Sequence, residues 1–167
     1  VVPGAGEAHG RAATAWTLGL MGRSFTDPAT GEHVPNLTQG RDFVLPGMGR
    51  RRLFRADFSD QHALTRDLSR PVRTHLGLDS RALTRALSLI ARLPGAGRLP
   101  TGVHLPGSDT WTLLARSGDH HRWARGRGQS AATAALTAWA VDLLPDLGSG
   151  VHHLHRVATL GDLPAGM

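Results

Sequence analysis

At 167 residues the chain is long enough for one domain with a substantial core, and it reads as one. The absence of cysteine excludes disulfide scaffolding, thiolate zinc sites and thiol chemistry. A formal charge of +6 and a pI of about 11.6 suit nucleic acid, but all 19 basic residues are arginine, tyrosine is absent and Ile90 is the lone isoleucine. That skew is what a GC-rich genome imposes on codon choice, so nucleic acid is not the expected partner.

In chain order, Glu7 to Met21 predicts a helix, with Ala8, Ala12, Ala15, Trp16, Gly19 and Leu20 on one face and Gly22 as its stop. Its small residues predict close packing against another element. Asp27-Pro28-Ala29-Thr30-Gly31 is turn chemistry between short strands near Arg23–Thr26 and His33–Leu37. Phe43-Val44-Leu45 reads as a further short strand. Arg50 to Phe58 alternates, with Phe54, Ala56 and Phe58 on one side and Arg55 and Asp57 on the other. Ser59 is placed to cap a helix over Asp60–Asp67.

Pro71 opens the cleanest predicted strand, with Val72, Thr74, Leu76 and Leu78 on one face. Asp79 or Ser80 caps a helix in which Leu83, Leu87 and Ile90 keep helical spacing until Pro94-Gly95. Leu93 to Thr101 is a Pro/Gly-rich connection. Two strands meet at Ser117-Gly118-Asp119. Gly126-Arg127-Gly128 then turns into a helix from about Ser130 to Leu144, with Leu136, Trp139, Ala140 and Leu143 inward. Val151–Val157 is expected as a last strand or extended arm, and Asp162 begins a final turn. The expected class is α+β: a single, mostly antiparallel or mixed sheet with three to four helices packed on one face.

Two stretches carry a family resemblance. The first runs Gly49-Arg50-Arg51-Arg52-Leu53-Phe54-Arg55-Ala56-Asp57-Phe58-Ser59-Asp60-Gln61, then Val72-Arg73-Thr74-His75-Leu76-Gly77-Leu78-Asp79-Ser80. The second runs from Arg125-Gly126-Arg127-Gly128-Gln129-Ser130 through Leu144 to Gly150-Val151-His152-His153-Leu154. Together with His9-Gly10-Arg11-Ala12-Ala13-Thr14-Ala15, they resemble the C-terminal, non-Rossmann domain of saccharopine-dehydrogenase-like oxidoreductases. The resemblance implies an NAD(P)-dependent parent enzyme in which these residues form the substrate-binding and dimerisation domain, inactive alone. The implied partners are a missing Rossmann domain, a second subunit and a small-molecule substrate. Because the chain opens at Val1 without a methionine, it reads as a fragment of such a protein.

The substrate-binding candidates are Gly10, Arg11 and Thr14 on the first helix and Gly128, Gln129 and Ser130 at the start of the long one. Gly126 and Gly128 permit the left-handed backbone of a sharp turn, and free N–H groups at a helix start favour a carboxylate or other anion. Ordinary capping by Ser130 is the plainer alternative. The catalytic residues are unassigned.

Gly4-Ala5-Gly6-Glu7-Ala8-His9-Gly10 imitates a dinucleotide fingerprint, but its third glycine comes one residue late and only Val1-Val2 precede Pro3. No cofactor is therefore expected on this chain alone; NAD(P) belongs to the parent. His120, His121, His153 and His155 raise the question of metal, but no carboxylate joins them at ligand spacing, so no metal site is expected. Asp57, Asp60 and His62, or His75 beside Asp79, could support acid–base chemistry. A solvent-facing ion pair between Asp57 and one of Arg50–Arg55 is the simpler expectation. The expected compartment is cytoplasmic, with no membrane span. The alternative function is a free-standing, arginine-rich α+β module for anionic partners.

Overall fold

Turn residues set the first half of the fold. The computed structural model describes residues 1–7, 11–93, 95–98 and 106–163. Helix α1 (Arg11–Gly19) ends before the expected Met21 and Glu7 is not helical, while residues 8–10 of the expected helix lie outside the described residues. Gly22 (φ +69°) takes the left-handed conformation that stops the chain from continuing as a helix. Strands β1 (Ser24–Thr26) and β2 (His33–Pro35) pair antiparallel with Phe25 opposite Val34. The Asp27 carboxylate organises the turn between them by accepting from the Ala29 and Thr30 amides at 2.9 and 3.3 Å. Strands β3 (Arg41–Leu45) and β4 (Gly49–Arg55) form the next hairpin.

Helix α2 (Ser59–Leu68) follows, but Ser59 lies inside it and no side chain caps it. The strand expected from Pro71 shrinks to β5 (His75–Leu76), which pairs with Phe54 and Arg55 of β4. Side chains intercept the residues before it: Val72 N–H donates to Thr65 Oγ1 at 3.0 Å, and Thr74 Oγ1 donates to the Ala56 carbonyl. Helix α3 (Arg81–Ile90) starts at Ser80, whose Oγ accepts from Leu83 N–H. Its most buried side chains are Thr84 and Ser88, not the leucines. The short inner side chains let the helix lie close to the sheet, and Ser88 Oγ donates to the Leu37 carbonyl at 2.8 Å.

Strands β6 (Thr110–Ser117) and β7 (His120–Arg127) form a full-length hairpin around Gly118 (φ +56°). Gly128, left-handed at φ +66°, turns directly into α4 (Gln129–Asp142). Gly126 serves otherwise than expected: its backbone is not left-handed, and the Trp111 ring lies where a side chain would be. The stretch expected as a terminal strand holds the short helix α5 (Leu154–Val157), and Thr159 caps a last 3-10 turn at Leu160–Asp162. The Leu93–Thr101 connection lies partly outside the described residues, and Ala96–Arg98 within it form a 3-10 turn.

The class is α+β with antiparallel pairing, but the strands form three small sheets and not one. The extended segment Val1–Gly6 stitches two of them together. Gly77 and Asp79 donate to the Val1 and Pro3 carbonyls at 3.2 and 3.3 Å. On the other side Val2 exchanges two 2.8 Å hydrogen bonds with Thr112, and Gly6 N–H donates to Ser108. A Cβ on Gly4 or Gly6 would strike the carbonyls of Ser108 and Gly107, so these glycines serve backbone-to-backbone contact. The apolar core has two clusters. Leu20, Met21, Leu37, Ala56, Leu76, Ala91 and Ala96 form one, and Val2, Leu45 and Leu53 the other.

A buried charged pair contradicts the alternation argument. Arg55, placed with the solvent-facing residues in the sequence, is 3% exposed and pairs with Asp27 (2% exposed) at 3.0 Å. Its other guanidinium nitrogen donates to Gln61 Oε1 at 3.2 Å, and its carbon lies 5.1 Å from the Phe25 ring centroid. Burial alone would raise the Asp27 carboxyl. The Ala29 amide and the Arg55 guanidinium outweigh it and hold the group below the usual carboxylate range.

Candidate functional site

The two groups of sequence candidates approach each other through a residue that was not among them. Glu7, just before α1, reaches the start of α4. Its Oε2 accepts from Gln129 N–H and its Oε1 from Ser130 N–H, both at 2.7 Å. These free amides at the positive end of the helix dipole are the groups expected to attract an anionic ligand, and a carboxylate from the chain itself occupies them. Ser130 is therefore not the cap, because Gly128 holds that position without a side chain. Gln129 is half-buried, and its Oε1 has no hydrogen-bond partner. Thr14 is half-buried in α1. Gly10 and the Arg11 side chain lie outside the described residues.

Replacing Glu7 by alanine uncaps a 14-residue helix and should cost about 1–2 kcal/mol. Denaturant melts will show the loss, with faster hydrogen exchange confined to the first turn of α4. An unchanged exchange rate there would contradict the capping role.

A second concave region was not picked out from sequence. The outer end of β4 and the first turns of α3 enclose a cleft of about 430 Å³, lined by Arg50, Arg51, Arg52, Arg81 and Arg85 together with Asp42 and an apolar floor that includes Leu53 and Leu78. It forms because α3 crosses β4: Arg51 and Leu53 alternate toward the helix, and Arg81 and Arg85, one turn apart, line its near side. Asp42 pairs with Arg50 at 2.9 Å and with Arg52 at 3.8 Å. Arg81 donates to the Arg50 carbonyl at 3.1 Å. Arg51 and Arg85 have no carboxylate among the described residues, and the Arg51 Nε is buried with no hydrogen-bond partner.

The proposed acid–base groups go elsewhere. Asp57 accepts from Gln61 and meets His62 Nε2 at 2.7 Å, so its partner is the histidine of α2 and not an arginine of β4. Asp79 accepts from Ala5 N–H, Ser108 N–H and Ser108 Oγ and acts as a clasp. His75 packs edge-on against Phe43 at 4.9 Å, and burial, with Arg55 nearby, lowers its pKa to about 4. His153 and His155 stack at 5.5 Å. His155 meets Asp67 at 2.8 Å, and Arg156 grips the same carboxylate with two nitrogens at 2.8 and 2.6 Å. Arg156 first, with Arg66 and His155, holds Asp67 well below the usual carboxylate range. This cluster docks α5 on the end of α2. Among the described residues no group of three or more His, Cys, Asp or Glu is arranged to hold a metal ion, and no helix is long and apolar enough to cross a membrane.

The third feature is an uncovered surface. α4 is rich in alanine and carries Leu136, Trp139 and Val141, with no charged residue before Asp142, yet none of its residues is buried. The positions expected to point inward, Leu136, Trp139, Ala140 and Leu143, are exposed or half-buried. Leu113 and Trp123 on the hairpin are about half exposed as well, at 43% and 54%. The residues thus define an α+β protein with an arginine-lined cleft and an apolar helix lacking a cover. No family model, curated protein or solved structure matches the chain.

Proposed function

We propose that the chain is the substrate-binding and dimerisation domain of a saccharopine-dehydrogenase-like, NAD(P)-dependent oxidoreductase whose cofactor is held by a Rossmann domain outside these residues. The observation that carries this reading is α4. A helix apolar on every side is stable when neighbours cover it, and here no residue of it is buried. A second domain or a second subunit laid across α4 and the β6–β7 hairpin would supply that cover. The glycine-rich opening supports placing the cofactor elsewhere, since Gly4 and Gly6 are packed against the backbone of Gly107 and Ser108. In such an enzyme the cofactor carries the hydride, and this chain forms a wall of the cleft and excludes water.

The test is made on the product of the complete reading frame. It is expected to contain a dinucleotide-binding domain and to bind NADH or NADPH in calorimetry, while residues 1–167 alone bind neither. A complete product without such a domain, or micromolar cofactor affinity in the isolated chain, would overturn the reading. The second reading, a free-standing arginine-rich module for anionic partners, draws on the cleft between β4 and α3. It predicts that the complete product is this domain alone.

A further inference from the structure

We infer that the cleft between β4 and α3 binds a small ligand carrying a diphosphate with a free end, unlike the diphosphate of NADH or NADPH, which is esterified at both ends. The inference is independent of the oxidoreductase reading. Five arginines line this cavity against one aspartate, which leaves a net charge of about +4 on its walls. Orthophosphate and most dicarboxylates carry about two charges near neutral pH, whereas a diphosphate approaches the four that the walls present. The guanidiniums come from two elements on opposite sides, so each phosphate can take the planar, two-pronged contact that arginine makes with oxyanions.

The available donors are specific. Arg50 and Arg52 are committed to Asp42, and Arg81 to a backbone carbonyl. Among the described residues Arg51 and Arg85 carry no ion pair, and the buried Arg51 Nε has no hydrogen-bond partner. A buried donor without a partner is costly, and turning the Arg51 side chain toward a phosphate oxygen would relieve it. Leu53 and Leu78 form a floor of low polarity that strengthens the attraction. The cavity of about 430 Å³ suits a small molecule. Its lining includes none of the aromatic side chains on which single-stranded nucleic acid stacks.

Calorimetry with inorganic pyrophosphate, ADP, orthophosphate and citrate tests this on the whole chain. Pyrophosphate or ADP should bind at least about tenfold more tightly than orthophosphate or citrate. Whichever of the two binds better shows whether the diphosphate is free or part of a nucleotide. The Arg85→Gln variant should weaken binding about tenfold without changing the melting curve, since Arg85 is exposed on α3. Arg51→Gln should weaken binding as much, and Arg116→Gln, on β6 and outside the lining of the cleft, should leave binding intact. Equal affinity for citrate, equal losses in all three variants, or no binding by the wild type would overturn the proposal. So would an oligonucleotide that displaces pyrophosphate at matched phosphate concentration.

Discussion

Asp27→Ala should destabilise the chain by about 3–5 kcal/mol, because it leaves the Arg55 guanidinium charged, buried and unpaired. Arg55→Met should cost less, about 2–4 kcal/mol, because Asp27 keeps Arg73 at 3.6 Å and the Ala29 and Thr30 amides. The double variant should cost less than the sum of the two, with a coupling of about 1–3 kcal/mol. Guanidinium melts of the four proteins close the cycle. A loss below about 1 kcal/mol for Asp27→Ala would show that the pair is dispensable.

Acid titration of the same proteins separates two groups. The folded pKa of Asp27 is depressed, so its contribution is complete above the unfolded value of about 3.9 and disappears as pH falls through the lower folded value. His75 acts earlier. It is neutral in the fold down to about pH 4, whereas in the unfolded chain it takes up a proton near pH 6.5. Stability therefore falls with pH between about 6.5 and 4, by at most about 1.4 kcal/mol per unit, and His75 has no such effect above that window. His75→Phe should flatten that part of the profile, and Asp27→Asn the part below it.

The second large effect concerns α4. The purified chain is expected to self-associate or to bind an apolar dye across α4 and the hairpin, since Leu136, Val141, Leu113 and Trp123 are all exposed. Leu136→Arg with Val141→Arg should weaken association by about 10²–10⁴-fold, from about 1.5–3 kcal/mol per apolar side chain removed from the interface. Sedimentation equilibrium and dye fluorescence read the result. A monomer that binds no dye would show that α4 needs no cover, and the proposed domain role would fall with it.

Local chemistry was legible in the sequence. The Asp27–Gly31 turn, the hairpin around Gly118, the Ser80 cap and the entry to α4 at Gly128 each rest on neighbouring residues, and each stands where the residues placed it. Long-range pairing was not legible. Nothing within a few residues of Glu7 reveals that its carboxylate will cap a helix 122 positions away. Asp67 is likewise the anchor for His155 and Arg156, and it keeps a segment helical that its alternation made look extended. Alternation also misassigned Arg55, because a strand rule counts faces without knowing that Asp27 waits on the buried one. The β5 strand shortened because β4 offers it two partners before the chain turns into α2. Of the candidate site, the start of α4 was visible as a polar helix terminus, but its occupant was not. The arginine cleft was visible only as the run Arg50–Arg52 on one strand, since Arg81, Thr84 and Arg85 come to it from α3.

The Val1–Gly6 segment has a mechanical consequence. It is the strip along which the β3–β5 sheet and the long hairpin share backbone hydrogen bonds, so load passing between them crosses this ribbon together with the Asp79–Ser108 clasp and the packing of Leu114. Peeling that ribbon away would divide one cooperative melting transition into two, with the hairpin and α4 free to open before the rest.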